Sequence, residues 1–121
     1  MLVRYKKTFE KIAMGLLSFM PQEKDVKHLM ETMNKYDREE NWQLFLWKKD
    51  EEYIGIVGLL VDGSEATIQH ITVIPSHRGE GVAMAMLKEL SNQFEKLYAN
   101  ETTEPFIRKC LPLIQEADGT N

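Results

Sequence analysis

Arg78, Gly79, Gly81 and Ala83 stand close together at a joint in the chain. Before it runs the β-branched stretch His70–Ile74, "HITVI"; after it comes "VAMAML", whose Ala, Met and Leu favour helix. A strand that ends at Pro75 and turns through "SHRGEG" into a helix leaves the first helical N–H groups without intrahelical partners. Those donors converge, the helix dipole adds partial positive charge, and glycines let an anion reach the backbone without meeting a Cβ atom. Arg78 adds a full charge beside them. Such a place suits a phosphate or pyrophosphate.

Three phosphate-binding signatures compete for the joint. The P-loop needs Gly-x-x-x-x-Gly-Lys, and the chain has no Gly-Lys pair. The dinucleotide fingerprint needs a third glycine where Met84 stands, and an early strand of a βαβ unit. The third, Arg/Gln-x-x-Gly-x-Gly/Ala, is filled by Arg78, Gly81 and Ala83.

The surrounding elements must position this joint. With 121 residues and 43% hydrophobic content the chain can bury one core. The expected organisation is a single domain over 1–114 and a polar tail over 115–121. Leu2–Lys6 reads as a short strand. "TFEKIAMGLLSFM" spaces Phe9, Ile12, Met14, Leu16, Leu17 and Met20 as a helix, with Thr8 as its N-cap and Pro21 as its break. "EKDVKHLMETMNKYDREE" reads as a second helix, with Val26, Leu29, Met30, Met33 and Tyr36 on its apolar side. From Trp42 the period changes. "NWQLFLWKKD", "YIGIVGLLVDG" and "EATIQHITVI" form a three-stranded antiparallel meander with turns at Asp50-Glu51-Glu52 and Asp62-Gly63-Ser64. Gly55 and Gly58 relieve crowding or mark a bulge. After the joint, Val82, Met86, Leu87, Leu90, Phe94 and Leu97 give a helix its buried stripe; "LYAN" offers one more strand and "TEPFIRKCLPLI" a short helix interrupted by Pro112.

"ITVIPSHRGEGVAMAML", set in that order of elements, resembles motif A of the GNAT superfamily, the GCN5-related N-acetyltransferases. The opening "LVRYKKTFEKIAMGLLSFMP" and the "SHR" loop also resemble the small acetyltransferases encoded with bacterial riboflavin-biosynthesis enzymes. The resemblance implies an α+β fold: a mixed, mainly antiparallel sheet flanked by helices, shortened at the C-terminus. It implies acetyl-CoA as cosubstrate and an amine as acceptor. The coenzyme A pyrophosphate would lie on the backbone of Arg78, Gly79, Glu80, Gly81, Val82 and Ala83, with the Glu80 carboxylate turned outward. The pantetheine arm would run along Ile71, Thr72 and Val73, with Asn100 and Phe106 beside it. The Val73 amide would take the developing oxyanion.

Two catalytic positions of the family are altered. Gln69 stands where many relatives carry a glutamate, and Ile107 where many carry a tyrosine. His70 and Glu65 are the nearest replacement bases, although alternation turns His70 away from the face of Ile71 and Val73. Tyr98 and Cys110 neighbour the tyrosine position without matching it. An enzyme that transfers acetyl directly to an amine and a coenzyme A-binding regulatory protein that has lost catalysis both fit these residues.

A net charge of -4 argues against nucleic acid or an anionic membrane as partner. One cysteine gives neither a disulfide framework nor a metal pattern and suits a reducing cytoplasm. No leader or spanning segment is expected. Leu111-Pro112 replaces the family's usual Gly-Phe, so a second subunit, in a homodimer, would be a reasonable source of the missing substrate wall.

Overall fold

A computed structural model describes residues 1–108. Strand β1 (Leu2–Arg4) leads through a 3-10 turn to helix α1 (Glu10–Leu17), and a second such turn, Pro21–Glu23, connects it to α2 (Val26–Arg38). Strands β2 (Trp42–Lys49), β3 (Glu52–Asp62) and β4 (Glu65–Val73) follow as the expected meander. Helix α3 (Val82–Leu90), strand β5 (Lys96–Ala99) and the short helix α4 (Glu104–Ile107) complete the described chain. The sheet runs β1-β2-β3-β4-β5, antiparallel except for the parallel pair β4 and β5. This is the α+β class expected. None of the described helices is long and apolar enough to cross a membrane.

Each face of the sheet has its own core. Ala13, Leu16 and Leu17 of α1 and Leu29, Met33 and Tyr36 of α2 pack with Leu44, Leu46 and Ile56 on one face. Val82, Met86, Leu87 and Leu90 of α3 cover Val57, Leu59, Ile68, Ile71 and Val73 on the other. Several helix boundaries differ from the sequence reading. Lys7–Phe9 winds as a 3-10 turn, so Thr8 lies inside it and caps nothing. Ile12, Val26 and Met30 face solvent, and Thr32 takes the inner position on α2. Leu97 belongs to β5, because α3 closes at Leu90. Pro112, Cys110 and the tail over 115–121 lie outside the described residues.

Two irregularities set the geometry that matters. Gly58 pairs with His70 and Leu59 with Ile68, so Gln69 is an extra residue on β4. This bulge shifts the side-chain phase by one: Ile68 and Ile71 share the α3 face, and His70 and Thr72 turn toward α1 and α2. The second is Gly58, where a Cβ atom would fall on the Tyr36 hydroxyl. Only a glycine there lets Tyr36 lie across the sheet and reach His70.

Candidate active site

β5 pairs with β4 over Glu65–Ile68 and then diverges. Ile74 N donates to Ile54 O on β3, at 2.9 Å, so by alternation the Ile71 and Val73 amides point the other way, into the gap between β4 and β5. The strand edge expected to carry a peptide-like arm therefore lacks a strand partner among the described residues.

At the end of that edge the chain turns into α3. Gly79 and Gly81 have φ of 84° and 83°, the left-handed region, which explains glycine at both positions. A Cβ atom at either would meet nothing within 4 Å. The space it would fill belongs to a cavity of about 470 Å³ lined by Val73, Arg78, Gly79, Gly81, Val82, Ala83 and Phe106, among others. Gly81 is the N-cap of α3 without a capping side chain, so the first helical amides are left for another acceptor. The geometry fits a pyrophosphate. Arg78 does more than add charge, since its Nε donates to Val73 O at 2.8 Å and ties the loop to the strand. The Glu80 carboxylate takes hydrogen bonds from His77 Nδ1 (2.8 Å) and Lys49 Nζ (3.3 Å), which hold its carboxyl below the usual range. The carboxylate is directed at these two side chains.

A second cavity, about 440 Å³, adjoins the first and shares Arg78 and Phe106 with it. Ile71, Thr72 and Thr103 form one side and Phe19, Met20, Pro21 and Gln22 the other. A third, about 190 Å³, shares Gln22 and Thr102 with the second and is lined by Glu23, His28, Thr32, Lys35, Trp42, Gln69, His70 and Asn100. The three lie end to end, from the α3 start to the bulge in β4.

The polar groups of the third cavity are tightly connected. His70, 6% exposed, donates from Nε2 to Glu23 Oε2 at 2.8 Å, and its Nδ1 shares a hydrogen bond with the Tyr36 hydroxyl at 2.6 Å. Thr32 Oγ1 donates to both Glu23 oxygens, at 3.1 and 3.0 Å. Burial pushes the Glu23 carboxyl up, but hydrogen bonds from His70 and Thr32 and the electrostatic pull of the His70 and His28 rings outweigh it and leave the group below the ordinary carboxylate range. Burial, with the Glu23 charge behind it, raises Tyr36 well above the usual phenol. Asn100 is equally engaged. Its Nδ2 donates to Gln69 Oε1 (3.2 Å), and its Oδ1 accepts from Thr102 N (3.0 Å) and Thr103 N (2.9 Å), fixing the turn that holds β5 away from β4.

The expected site residues thus divide. Ile71, Thr72, Val73, Arg78, Gly79, Gly81, Val82, Ala83 and Phe106 line the first two cavities, and His70 and Asn100 the third. Glu65 is not brought to them. It opens β4 beside Lys96 of β5, five residues before His70 and on the order of 15 Å from it along the strand. His70 reaches the cavity, yet both ring nitrogens are already bonded, so it offers no lone pair directly to a substrate. Ile107, in place of a tyrosine acid, is buried core. Glu23 was missed by the sequence reading, which placed it in the polar first turn of the second helix; the structure winds Pro21–Glu23 as a separate 3-10 turn and starts α2 only at Val26. Its one signal is Pro21, which starts the turn that points Glu23 inward to 1% exposure.

Comparison with known proteins agrees with this geometry. A family model described as the acetyltransferase (GNAT) family matches residues 11–110. An uncharacterized N-acetyltransferase in the lysA 3' region of Bacillus methanolicus is 55% identical over 113 residues, covering 91% of this chain and 94% of that protein. The ribosomal-protein-alanine N-acetyltransferase of Brucella melitensis superposes with a TM-score of 0.74 at 16% identity, over 100% of this chain and 96% of that one. The aminoglycoside N-acetyltransferase AAC(6')-Iy, solved in complex with CoA, gives 0.69 at 16% identity, over 90% and 81%. The chain belongs to the GNAT family of acetyltransferases.

Proposed function

We propose that the chain is an N-acetyltransferase that moves the acetyl group of acetyl-CoA directly to an amine. The observation that carries this reading is the continuity of the three cavities, with an anion cradle at one end, an unpaired strand edge in the middle and a polar pocket at the other. The pyrophosphate would rest on the amides of Gly79, Glu80, Gly81, Val82 and Ala83, and the pantetheine on the edge at Ile71 and Val73. The acetyl group would then end beside Gln69 and His70. The Ile71 amide, which points into the same gap nearer that end, would meet the developing oxyanion in place of the Val73 amide that the resemblance implies. The neutral amine attacks the thioester carbon, a C–N bond forms, the C–S bond breaks, and the N–H proton passes through water to the leaving thiolate. The resemblance of the opening stretch and the Ser76-His77-Arg78 loop supports a role beside riboflavin biosynthesis in the cytoplasm, and Leu111-Pro112 in place of the usual Gly-Phe supports a homodimer whose second subunit completes the substrate wall.

Coenzyme A and acetyl-CoA are expected to raise the melting temperature, and NAD and ATP to do so little. At a hundredfold excess over the dissociation constant the stabilisation is about 2.7 kcal/mol. The accompanying assay follows thiol release from acetyl-CoA with a panel of primary amines. Amine-dependent release is the expected result; binding of coenzyme A with no release from any amine would leave the regulatory reading in its place.

A further inference from the structure

We infer that Thr103 is a positioning residue for the cofactor: its hydroxyl stands as a spacer between β4 and β5 and keeps the strand edge at Ile71 and Val73 open for the pantetheine arm. This rests on the coenzyme A-binding part of the reading above and names the side chain that holds the binding edge free.

The ladder between β4 and β5 stops at a defined place. Ile68 and Ala99 are its last register partners, so the next rung of a parallel pair would run from Asn100 N to Ile68 O. Both of those groups go to one side-chain atom instead. Asn100 N donates to Thr103 Oγ1 at 3.1 Å, and Thr103 Oγ1 donates to Ile68 O at 2.9 Å. Two hydrogen bonds in series stand where a single one would draw the strands together, and neither backbone group is orphaned. The hydroxyl has one proton to give. Asn100 Oδ1 also lies 3.1 Å from it but is supplied by Thr102 N and Thr103 N, so the proton belongs to Ile68 O.

Two further observations set this threonine apart from an ordinary turn residue. It is the N-cap of α4, where a threonine hydroxyl commonly accepts from an early helical amide, yet it caps none. Its side chain is turned into the sheet, at 0% exposure, and with Ile71 and Thr72 it forms one side of the second cavity. The Gln69 bulge interrupts the pairing from the β4 side by changing where its groups point, and Thr103 interrupts it from the β5 side by spacing the chains. A pantetheine amide needs the Ile71 and Val73 groups free of a competing strand. Thr103→Val keeps the shape of the side chain and removes the hydroxyl. Ile68 O and Asn100 N then regain a partner only by meeting each other, which draws the end of β5 toward β4 and narrows the gap.

The test compares the full chain with Thr103→Val and with Thr103→Ser, which keeps the hydroxyl. Calorimetric titration with coenzyme A is expected to show binding at least about tenfold weaker in Thr103→Val and within about threefold of wild type in Thr103→Ser, as loss or retention of the ligand's backbone hydrogen bonds requires. NMR of the unliganded proteins supplies a readout that lower stability alone does not move: a scalar coupling across a hydrogen bond, from Asn100 N to the Ile68 carbonyl carbon, appears in Thr103→Val and is absent from the wild type and Thr103→Ser. Wild-type affinity in Thr103→Val, equal losses in the two variants, or no new coupling in Thr103→Val would overturn the spacer. If Thr103→Val does not fold, Thr103→Ala takes its place in both measurements. A wild type that does not bind coenzyme A overturns the transferase reading and the pantetheine role with it; coenzyme A binding that Thr103→Val leaves unchanged overturns the spacer alone.

Discussion

Replacing Gly81 by Asn is expected to weaken coenzyme A binding by about ten- to a hundredfold while costing the fold about 1 kcal/mol. Gly81 has φ of 83° and caps α3, and a Cβ atom built there projects into open space beside the cradle, touching no protein atom within 4 Å. The protein itself tolerates the added atoms. A pyrophosphate held by the neighbouring amides does not, because the side chain takes its volume and the Asn oxygen competes for the same donors. Asn is chosen because it enters the left-handed region more readily than other residues. Val is β-branched, and Gly81→Val would add roughly 1–3 kcal/mol of backbone strain, so its stability cost would rise alongside its loss of affinity. Calorimetric titration with coenzyme A and denaturant unfolding on one preparation separate the two quantities. Affinity equal to the wild type would move the cradle elsewhere.

His70→Ala is expected to lower transfer to a primary amine at least about tenfold and to destabilise the protein by about 3–5 kcal/mol, with coenzyme A affinity retained. Both effects arise from the same two hydrogen bonds. Removing the ring leaves Glu23 at 1% exposure without its 2.8 Å donor, and the Tyr36 hydroxyl, held over Gly58, without its partner. The polar end of the third cavity then loses the bonds that fix its shape. His70 is read as a positioning residue, so the loss should fall mainly on the KM for the amine. A loss confined to kcat with KM unchanged would return His70 to the role of base. Coenzyme A affinity is spared because the cradle is built from Gly79 to Ala83, two cavities away.

The part of this site made by the backbone was legible in the sequence. Pro75, the glycines and the apolar run after Gly81 specify a strand, a turn and a helix start through local conformational preference alone, and the structure has all three; the positive φ at Gly79 and Gly81 is added by the structure. The order of elements followed for the same reason, since hydrophobic period and turn chemistry are local. What depended on distant pairing was not legible. The bulge at Gln69 comes from the register between β3 and β4; alternation alone turns His70 from the Ile71 and Val73 face, as the structure has it, but its meeting with Tyr36 and Glu23 rests on distant packing. Glu23 is 47 positions from His70, and in sequence it reads as the charged first turn of the second helix rather than as part of a turn that points inward. Glu65 drew notice as the nearest carboxylate in sequence, but a strand rises about 3.3 Å per residue and carries it out of reach. Gly58 gave a partial signal: crowding was the right reason, and the side chain responsible, Tyr36, was visible only once α2 lay across the sheet.

The central claim is that coenzyme A lies along the open edge of β4 and on the start of α3. Residue-resolved hydrogen exchange by NMR, with and without coenzyme A, tests it most directly. The ligand should slow exchange at the Ile71 and Val73 amides and across Gly79 to Ala83, while Thr72, which faces β3, changes little. Binding seen by calorimetry without protection at Ile71, Val73 or the α3 start would contradict the account.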